Sequence, residues 1–376
     1  MEKTAVNISS LSNHSDVFRV TKTMNIIQKI ESMGHEQVAL CQNKETGLNA
    51  IIAIHDTTLG PSLGGCRFWN YKSQDEALFD VLRLSRGMTY KAAITGLELG
   101  GGKSVLIGDP QALKSREFFH SFGEFVDSLQ GKYITAEDVN ITVNDMNIVR
   151  EKTQFVAGFN SDNKGSGDPS PFTALGVFQG IKACIKFKHQ TDNLKDFSIA
   201  VQGCGAVGSK LSKLLHEAGA NLIISDIDEN RAKKTAQELN AEFVAPHKIH
   251  QCDVDIFAPC ALGGILNKQT IPEIKAKIIA GGANNQLLNE KTDALKLQEQ
   301  GILYAPDYVI NAGGLINVYG EIKDYNSNES NKKTLQIYES LLNIFKLSEE
   351  KDIFPLEASN QIAEQIIKSK KDKKNS

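Results

Sequence analysis

Residues Phe197 to Asp226 constrain the fold more than any other stretch of the chain. Phe197-Ser198-Ile199-Ala200-Val201-Gln202 reads as a short buried strand. Gly203-Cys204-Gly205-Ala206-Val207-Gly208 follows directly and sets three glycines in G-x-G-x-x-G spacing. Val207, Leu211, Leu214 and Leu215 then recur on one helical face, and Gly219 ends that helix. Leu222-Ile223-Ile224-Ser225-Asp226 is a second strand that closes on an acid. Alone, the glycine motif is weak. Between a strand and a helix, with an acid ending the next strand, it is the fingerprint of a dinucleotide site. Its glycines permit a tight turn and close approach of a pyrophosphate, which then sits at the positive end of a helix. Gly203, Gly205, Ala206, Val207 and Gly208 are therefore assigned to the cofactor. Asp226 lies eighteen residues past Gly208. Its carboxylate can accept hydrogen bonds from the adenosine ribose and would repel a 2′-phosphate, which favours NAD over NADP. The alternative is a tight βα turn that holds no ligand.

The alternation continues with strand-like segments at Val254 to Ala258, Ile278 to Ala280 and Ile302 to Tyr304. Strands alternating with helices imply a parallel sheet covered on both faces. With 376 residues the chain is long enough for a second domain. Upstream, a helix from Met24 ends at Gly34, and two strands, Glu36 to Gln42 and Gly47 to Asp56, flank a turn. His55 reads as a hydrogen-bonded core histidine. Ser73-x-x-Glu76 has the form of a capping box, and Leu78, Val81, Leu82 and Ser85 share one face of the helix after it. A strand is expected from Ser104 to Gly108, a helix in the region Phe118 to Leu129, and a strand from Tyr133 into Asp138. Gly165-Ser166-Gly167-Asp168-Pro169-Ser170-Pro171 marks a hinge or boundary. The tail Lys368 to Ser376 is a charge run, expected to be solvated and disordered.

Composition narrows the function. A net charge of −3 gives no electrostatic case for nucleic acid or an anionic membrane. The six cysteines show no C-x-x-C spacing, so neither a zinc site nor a disulfide framework is expected, and reduced thiols in the cytoplasm are the simpler account. No metal site is expected. No stretch has the length of an apolar membrane span, and the N-terminus lacks the pattern of a secretory signal.

The remaining chemistry lies between Leu59 and Pro110. Lys91 follows Met88-Thr89-Tyr90, and Lys103 follows the run Gly100-Gly101-Gly102. Bare glycine backbone lets a ligand approach closely, and Gly64-Gly65 supplies a second such patch. Together with Thr135-Ala136-Glu137-Asp138-Val139, Ala283-Asn284-Asn285-Gln286 and Tyr304 to Gly314, these motifs resemble, in the same order, the amino-acid dehydrogenases of the glutamate/leucine/phenylalanine/valine family. The resemblance runs from about Met24 to Tyr319. It implies an α/β enzyme of two domains. Residues 1–158 would form the substrate domain, with 340–376 packing back on it, and 159–339 would form the Rossmann domain, with the active-site cleft between them. It implies reversible NAD-dependent oxidative deamination of a branched-chain L-amino acid to the 2-oxo acid, in a homo-oligomer. Phenylalanine or valine as substrate remains an alternative, as does a non-catalytic NAD-binding regulator. The presence of Lys91, Lys103 and Asp138 together argues against the regulator, which needs none of them.

The same resemblance assigns the site. Lys91 binds the substrate carboxylate, Lys103 does acid/base work on water, and Asp138 handles the proton of the amino group. Partial burial and a second cation nearby are expected to depress the lysine used as a base. Asn285 reaches the substrate carboxylate. Ala283 and Asn284 lie along the cofactor, and Thr173 contacts the nicotinamide amide. Leu63, Ala136, Leu315 and Val318 line the side-chain pocket beside Gly64 and Gly65. Two departures stand next to these residues. Cys66 replaces a threonine common in relatives, and Val139-Asn140-Ile141 replaces Val-Gly-Thr.

Overall fold

The computed structural model describes residues 25–159, 168–261, 263–322 and 326–375. The N-terminal extension and residues 165–167 of the expected hinge lie outside them. The first half runs α1 (Ile26–Ser32), β1 (Gln37–Asn43), β2 (Leu48–Asp56), β3 (Ser62–Trp69), α2 (Gln74–Ile94), β4 (Gly100–Ile107), α3 (Pro110–Leu113), α4 (Arg116–Ser128), β5 (Tyr133–Glu137) and α5 (Val143–Arg150). The second half runs α6 (Ser170–His189), β6 (Ser198–Gln202), α7 (Ala206–Glu217), β7 (Asn221–Ser225), α8 (Glu229–Glu238), β8 (Glu242–Phe243), β9 (Ile256–Pro259), β10 (Ile278–Ile279), α9 (Glu290–Glu299), β11 (Leu303–Tyr304), α10 (Asp307–Ile310) and α11 (Gly313–Ile322). Helices α12 (Ser327–Leu335), α13 (Ile337–Lys351) and α14 (Pro355–Asn375) complete the chain.

The first sheet has strand order β1-β2-β4-β3-β5, antiparallel from β1 to β4 and parallel from β4 to β5. Helix α2 covers one face, burying Ala77, Leu78, Val81 and Leu82 against Ile51, Ala53 and Val105. The Ser73 hydroxyl accepts from the Glu76 N–H, whereas the Glu76 carboxylate turns to the Lys72 N–H, so only half of the expected capping box forms. Phe118, Phe119, Phe122 and Val126 of α4 fill the other face.

Two strand assignments need correction. The strand expected from Ser104 begins at Gly100, so the glycine run is part of β4 rather than a loop before it. The reason is packing. A Cβ at Gly101 would overlap Thr89 of α2, and one at Gly102 would press on the Tyr133 ring. Likewise Gly64 and Gly65 sit inside β3, a strand that apolar alternation alone does not reveal. His55 behaves as expected. It is buried, with Nδ1 2.8 Å from the Thr89 hydroxyl, and burial lowers its pKa to about 4.

The second sheet is parallel throughout, in the order β11-β10-β9-β6-β7-β8. Chain order reverses between β6 and β9, and ligands of such sheets bind at the carboxyl ends of the strands at that switch point. Helix α13 packs on α6, with the Phe187 and Phe345 rings 5.3 Å apart. Helix α14 returns to the first half, where Tyr90 donates to Glu364 at 2.7 Å and Lys374 donates to the Thr58 carbonyl at 2.7 Å. The tail is therefore not disordered. It continues α14 to Asn375. Lysine is a good helix former, no glycine or proline interrupts the run, and Lys373 and Lys374 suit the negative end of the helix. None of the described helices is long and apolar enough to cross a membrane.

Candidate active site

The two sheets face each other across a cleft of about 620 Å³. Its first-half wall carries Leu63, Gly64, Gly65, Lys91, Lys103, Ala136 and Asp138, and its second-half wall carries Thr173, Ala206, Val207, Asn284, Leu315 and Val318. Elements distant in sequence thus bring thirteen of the expected site residues to one cavity. The polar groups enter from adjacent strands. β3 runs between β4 and β5, with Gly64 opposite Thr135 and Cys66 opposite both Ser104 and Glu137. A Cβ at Gly65 would lie 2.8 Å from Cβ of Asp138, so only glycine there leaves the aspartate its place.

Lys103 Nζ lies 2.6 Å from Asp138 Oδ2, both side chains being mostly buried. Burial alone would push the Asp138 carboxyl up, but Lys103 and Arg67 beside it prevail and hold it down to about 2. Lys91, in the last turn of α2, is the cation that burial depresses, with Lys103 adding to the effect against the opposing pull of Asp307. Its pKa falls from 10.5 to about 8. Asp307 in turn is raised by its own burial, although it accepts from the Gln286 and Tyr308 N–H groups. The cleft therefore holds a poorly solvated cation and an ion pair, the equipment for a carboxylate and for proton transfer.

Gly203, Gly205, Gly208 and Asp226 form the turn beside the cleft. Gly203 has φ +100°, and a Cβ on Gly208 would overlap the Gly203 carbonyl. At Gly205, by contrast, a Cβ would meet nothing within 4 Å. This open space lies at the N-terminus of α7, where no side chain caps the first N–H groups. The turn therefore fits a pyrophosphate. Asp226 accepts from the Cys204 N–H at 2.6 Å, the Asp228 N–H at 2.9 Å and Arg231 Nη2 at 2.7 Å.

The structure moves two residues of the Ala283-Asn284-Asn285 segment away from the cleft. Ala283 is buried behind it. Asn285, with φ +51°, faces a separate small pocket of about 70 Å³ beside Arg83, Arg86 and Tyr90. The amide at the cleft is that of Asn284, held by Asn311 Nδ2 at 2.6 Å. In a segment without a regular period, sequence does not fix which of two adjacent asparagines turns inward. Sequence reading also missed Arg67, whose Nε lies 3.4 Å from Asp138 Oδ2, and Glu137, which lines the cleft. The Asn140 departure has a local reason: its φ is +59°, a conformation glycine or asparagine tolerates, and its amide donates to the Phe68 carbonyl at 3.0 Å. Ile141 and Val139 add apolar surface to the cleft. Cys66 is fully buried, and burial pushes its thiol up to about 12.

Two family models match the chain. The "Glu/Leu/Phe/Val dehydrogenase, dimerisation domain" covers residues 35–155, and "Glutamate/Leucine/Phenylalanine/Valine dehydrogenase" covers 224–364. The chain belongs to this family. It is an amino-acid dehydrogenase, an oxidoreductase of the leucine dehydrogenase type. A leucine dehydrogenase from Thermoactinomyces intermedius is 50% identical over 344 residues, 92% of this chain and 94% of the relative. A phenylalanine dehydrogenase from Caldalkalibacillus thermarum is 44% identical, covering 89% and 92%. The crystal structure of L-tryptophan dehydrogenase from Nostoc punctiforme superposes with a TM-score of 0.80 at 46% identity, covering 92% of this chain and 99% of that one. The family's enzymes use NAD or NADP.

Proposed function

We propose that the chain catalyses reversible, NAD-dependent oxidative deamination of a branched-chain L-amino acid, with leucine the best substrate and isoleucine and valine also accepted. The observation that carries this reading is the cleft itself. It combines Lys91, the Lys103–Asp138 pair and the aliphatic side chains of Leu63, Ala136, Leu315 and Val318. Lys91 takes the substrate carboxylate, which relieves a cation that burial leaves short of water. Asp138, ionised between its two cations, takes the proton of the substrate ammonium and hands it on as the amine departs, since the same cations make it a weak base that does not keep the proton. Lys103 draws a proton from the water that adds to the iminium carbon; the amine leaves with the proton that Asp138 took, and the carbinolamine hydroxyl gives its proton to the freed Asp138 carboxylate as the carbonyl forms. Bound at the Gly203–Gly208 turn and reaching Thr173, NAD would supply the hydride acceptor. Asp226 favours NAD because a carboxylate at the end of β7 meets ribose hydroxyls better than a phosphate.

The aliphatic wall supports the branched-chain class. It offers no charge or hydrogen bond to a polar side chain, which would lose water there at a cost of about 1–3 kcal/mol. Residues 1–158 form the substrate domain and 159–339 the nucleotide domain in this reading, with the active-site cleft between them. The dimerisation-domain match supports a homo-oligomer. Six unpaired thiols fit a reducing, cytoplasmic setting. The test is NADH formation by the purified protein over leucine, isoleucine, valine, phenylalanine, tryptophan and glutamate, each with NAD and with NADP. Leucine with NAD is expected to give the highest kcat/KM. Phenylalanine or tryptophan in first place would overturn the branched-chain assignment and leave the dehydrogenase intact.

A further inference from the structure

Arg67 makes a hydrogen-bonded ion pair with one carboxylate of the site and a longer ion pair, without hydrogen-bond geometry, with a second. Its Nη1 donates to Asp80 Oδ2 at 2.9 Å, and its Nε lies 3.4 Å from Asp138 Oδ2. The Tyr71 hydroxyl donates to the same Asp80 oxygen at 2.6 Å and so anchors the far end. Lys103 Nζ reaches the same Asp138 oxygen from β4 at 2.6 Å. One carboxylate oxygen thus carries two cations, and all three side chains are largely withdrawn from water, at 8% exposure for Lys103, 16% for Asp138 and 17% for Arg67.

This arrangement exceeds what an ion pair between Lys103 and Asp138 requires. It becomes intelligible during turnover. A lysine that acts as a base must lose its proton, and at that moment Asp138 would be a buried carboxylate facing a neutral amine. Removing one partner of a buried pair is strongly destabilising. Arginine does not deprotonate in proteins, and its planar fork serves two carboxylates at once. We infer that Arg67 is a positioning residue of the reaction, which shares the Asp138 carboxylate with Lys103 and holds it charged and in place while Lys103 is neutral. The inference rests on the roles given to Lys103 and Asp138 above. The other ionisable groups around the pair and Arg67 are Lys91 and Asp80 on α2, Cys66 on β3, Tyr133 and Glu137 on β5, and Tyr71, with Asp307 on α10 acting on Lys91.

The experiment compares the full-length protein with Arg67→Met, Arg67→Gln and Arg67→Lys, and runs Asp138→Asn alongside. The measurements are the pH profile of kcat/KM for oxidative deamination of the best amino acid, NADH binding by fluorescence, and the thermal midpoint. Without Arg67 the whole Asp138 charge acts on Lys103 and favours the protonated pair, so the acid limb should move to higher pH. A shift of about one pH unit is expected, equivalent to about tenfold lower rate on the acid side, with NADH binding unchanged. Arg67→Gln keeps a neutral donor for Asp80 and should show the same shift, which covers the case of Arg67→Met failing to fold. Arg67→Lys should return the limb toward its original position while restoring kcat only in part. A neutral variant with an unmoved limb, or one whose only change is weaker NADH binding, would overturn the role of Arg67. Normal turnover in Asp138→Asn would instead sink the assignment of the aspartate itself. An inactive Asp138→Asn beside unaltered neutral Arg67 variants would remove Arg67 alone.

Discussion

Replacing Lys91 with methionine should stabilise the free enzyme while disabling it. Lys91 sits in the cleft with its pKa lowered from 10.5 to about 8, chiefly by burial. Because the folded pKa lies below the unfolded one, the charged lysine is a cost to folding. That cost is full below pH 8, shrinks between pH 8 and 10.5, and is absent above, where both states are neutral. The difference corresponds to about 3 kcal/mol. Methionine has similar length and no charge to desolvate. Loss of the cation leaves Asp307 less well compensated, which offsets part of the gain, so about 3 kcal/mol is an upper bound. Urea unfolding of both proteins at pH 7 and at pH 10 measures the gain and its decline. Turnover should fall at the same time, mostly through KM for the amino acid, because a charge-assisted contact of about 1.5–3 kcal/mol disappears. If Lys91→Met were no more stable than the parent at pH 7, or if its advantage persisted unchanged at pH 10, the argument from a poorly solvated cation would be wrong.

Lys103→Ala should lower kcat by at least about 10², the usual contribution of positioned acid–base groups, while NADH fluorescence titration shows binding retained. Near-normal turnover would take Lys103 out of the chemistry. Asp226→Ala should raise the NADP to NAD ratio of kcat/KM by about tenfold or more, since it removes a carboxylate worth about 1–2 kcal/mol of discrimination and releases Arg231 from its 2.7 Å contact. The same variant strands the Cys204 N–H and should lower the thermal midpoint, and an unchanged cofactor ratio would place ribose recognition elsewhere. Ala136→Phe fills the aliphatic wall and should depress activity on leucine more than on 2-aminobutyrate. Discrimination among leucine, isoleucine and valine in the parent should stay within about 1–3 kcal/mol, the value of one methylene. An unaltered leucine to 2-aminobutyrate ratio would move the side-chain pocket away from Ala136.

How far the sequence foretold this site depended on how local each signal was. The dinucleotide turn is written in thirty consecutive residues, Phe197 to Asp226, so strand, glycines, helix and acid could be read together. Lys91, Lys103 and Asp138 were each found through a short motif. Their convergence follows from the family resemblance and not from the motifs' own spacing, because it depends on β3 lying between β4 and β5. Arg67 had no motif of its own to mark it. It follows Gly64-Gly65 in a strand that apolar alternation does not reveal, and its partner Asp80 lies on a helix face that looks merely solvated. The choice between Asn284 and Asn285 turned on one left-handed backbone angle.

The glycines show why the missing part was missed. In sequence a run of three reads as bare backbone ahead of a strand, open to a ligand. In the fold these residues are the inside of a strand, and their lack of side chains draws α2 and Tyr133 against β4. The Lys103 ammonium is therefore held by packed backbone rather than hung from a flexible loop. The same holds at Gly65, where a side chain would displace the aspartate. An ion pair of 2.6 Å between two buried groups tolerates little play in the strands that carry them, since a misplacement of about 1 Å in a reacting group can cost about 10² in rate. The glycine spacing thus keeps Lys103 and Asp138 in register through close packing of the strands that carry them.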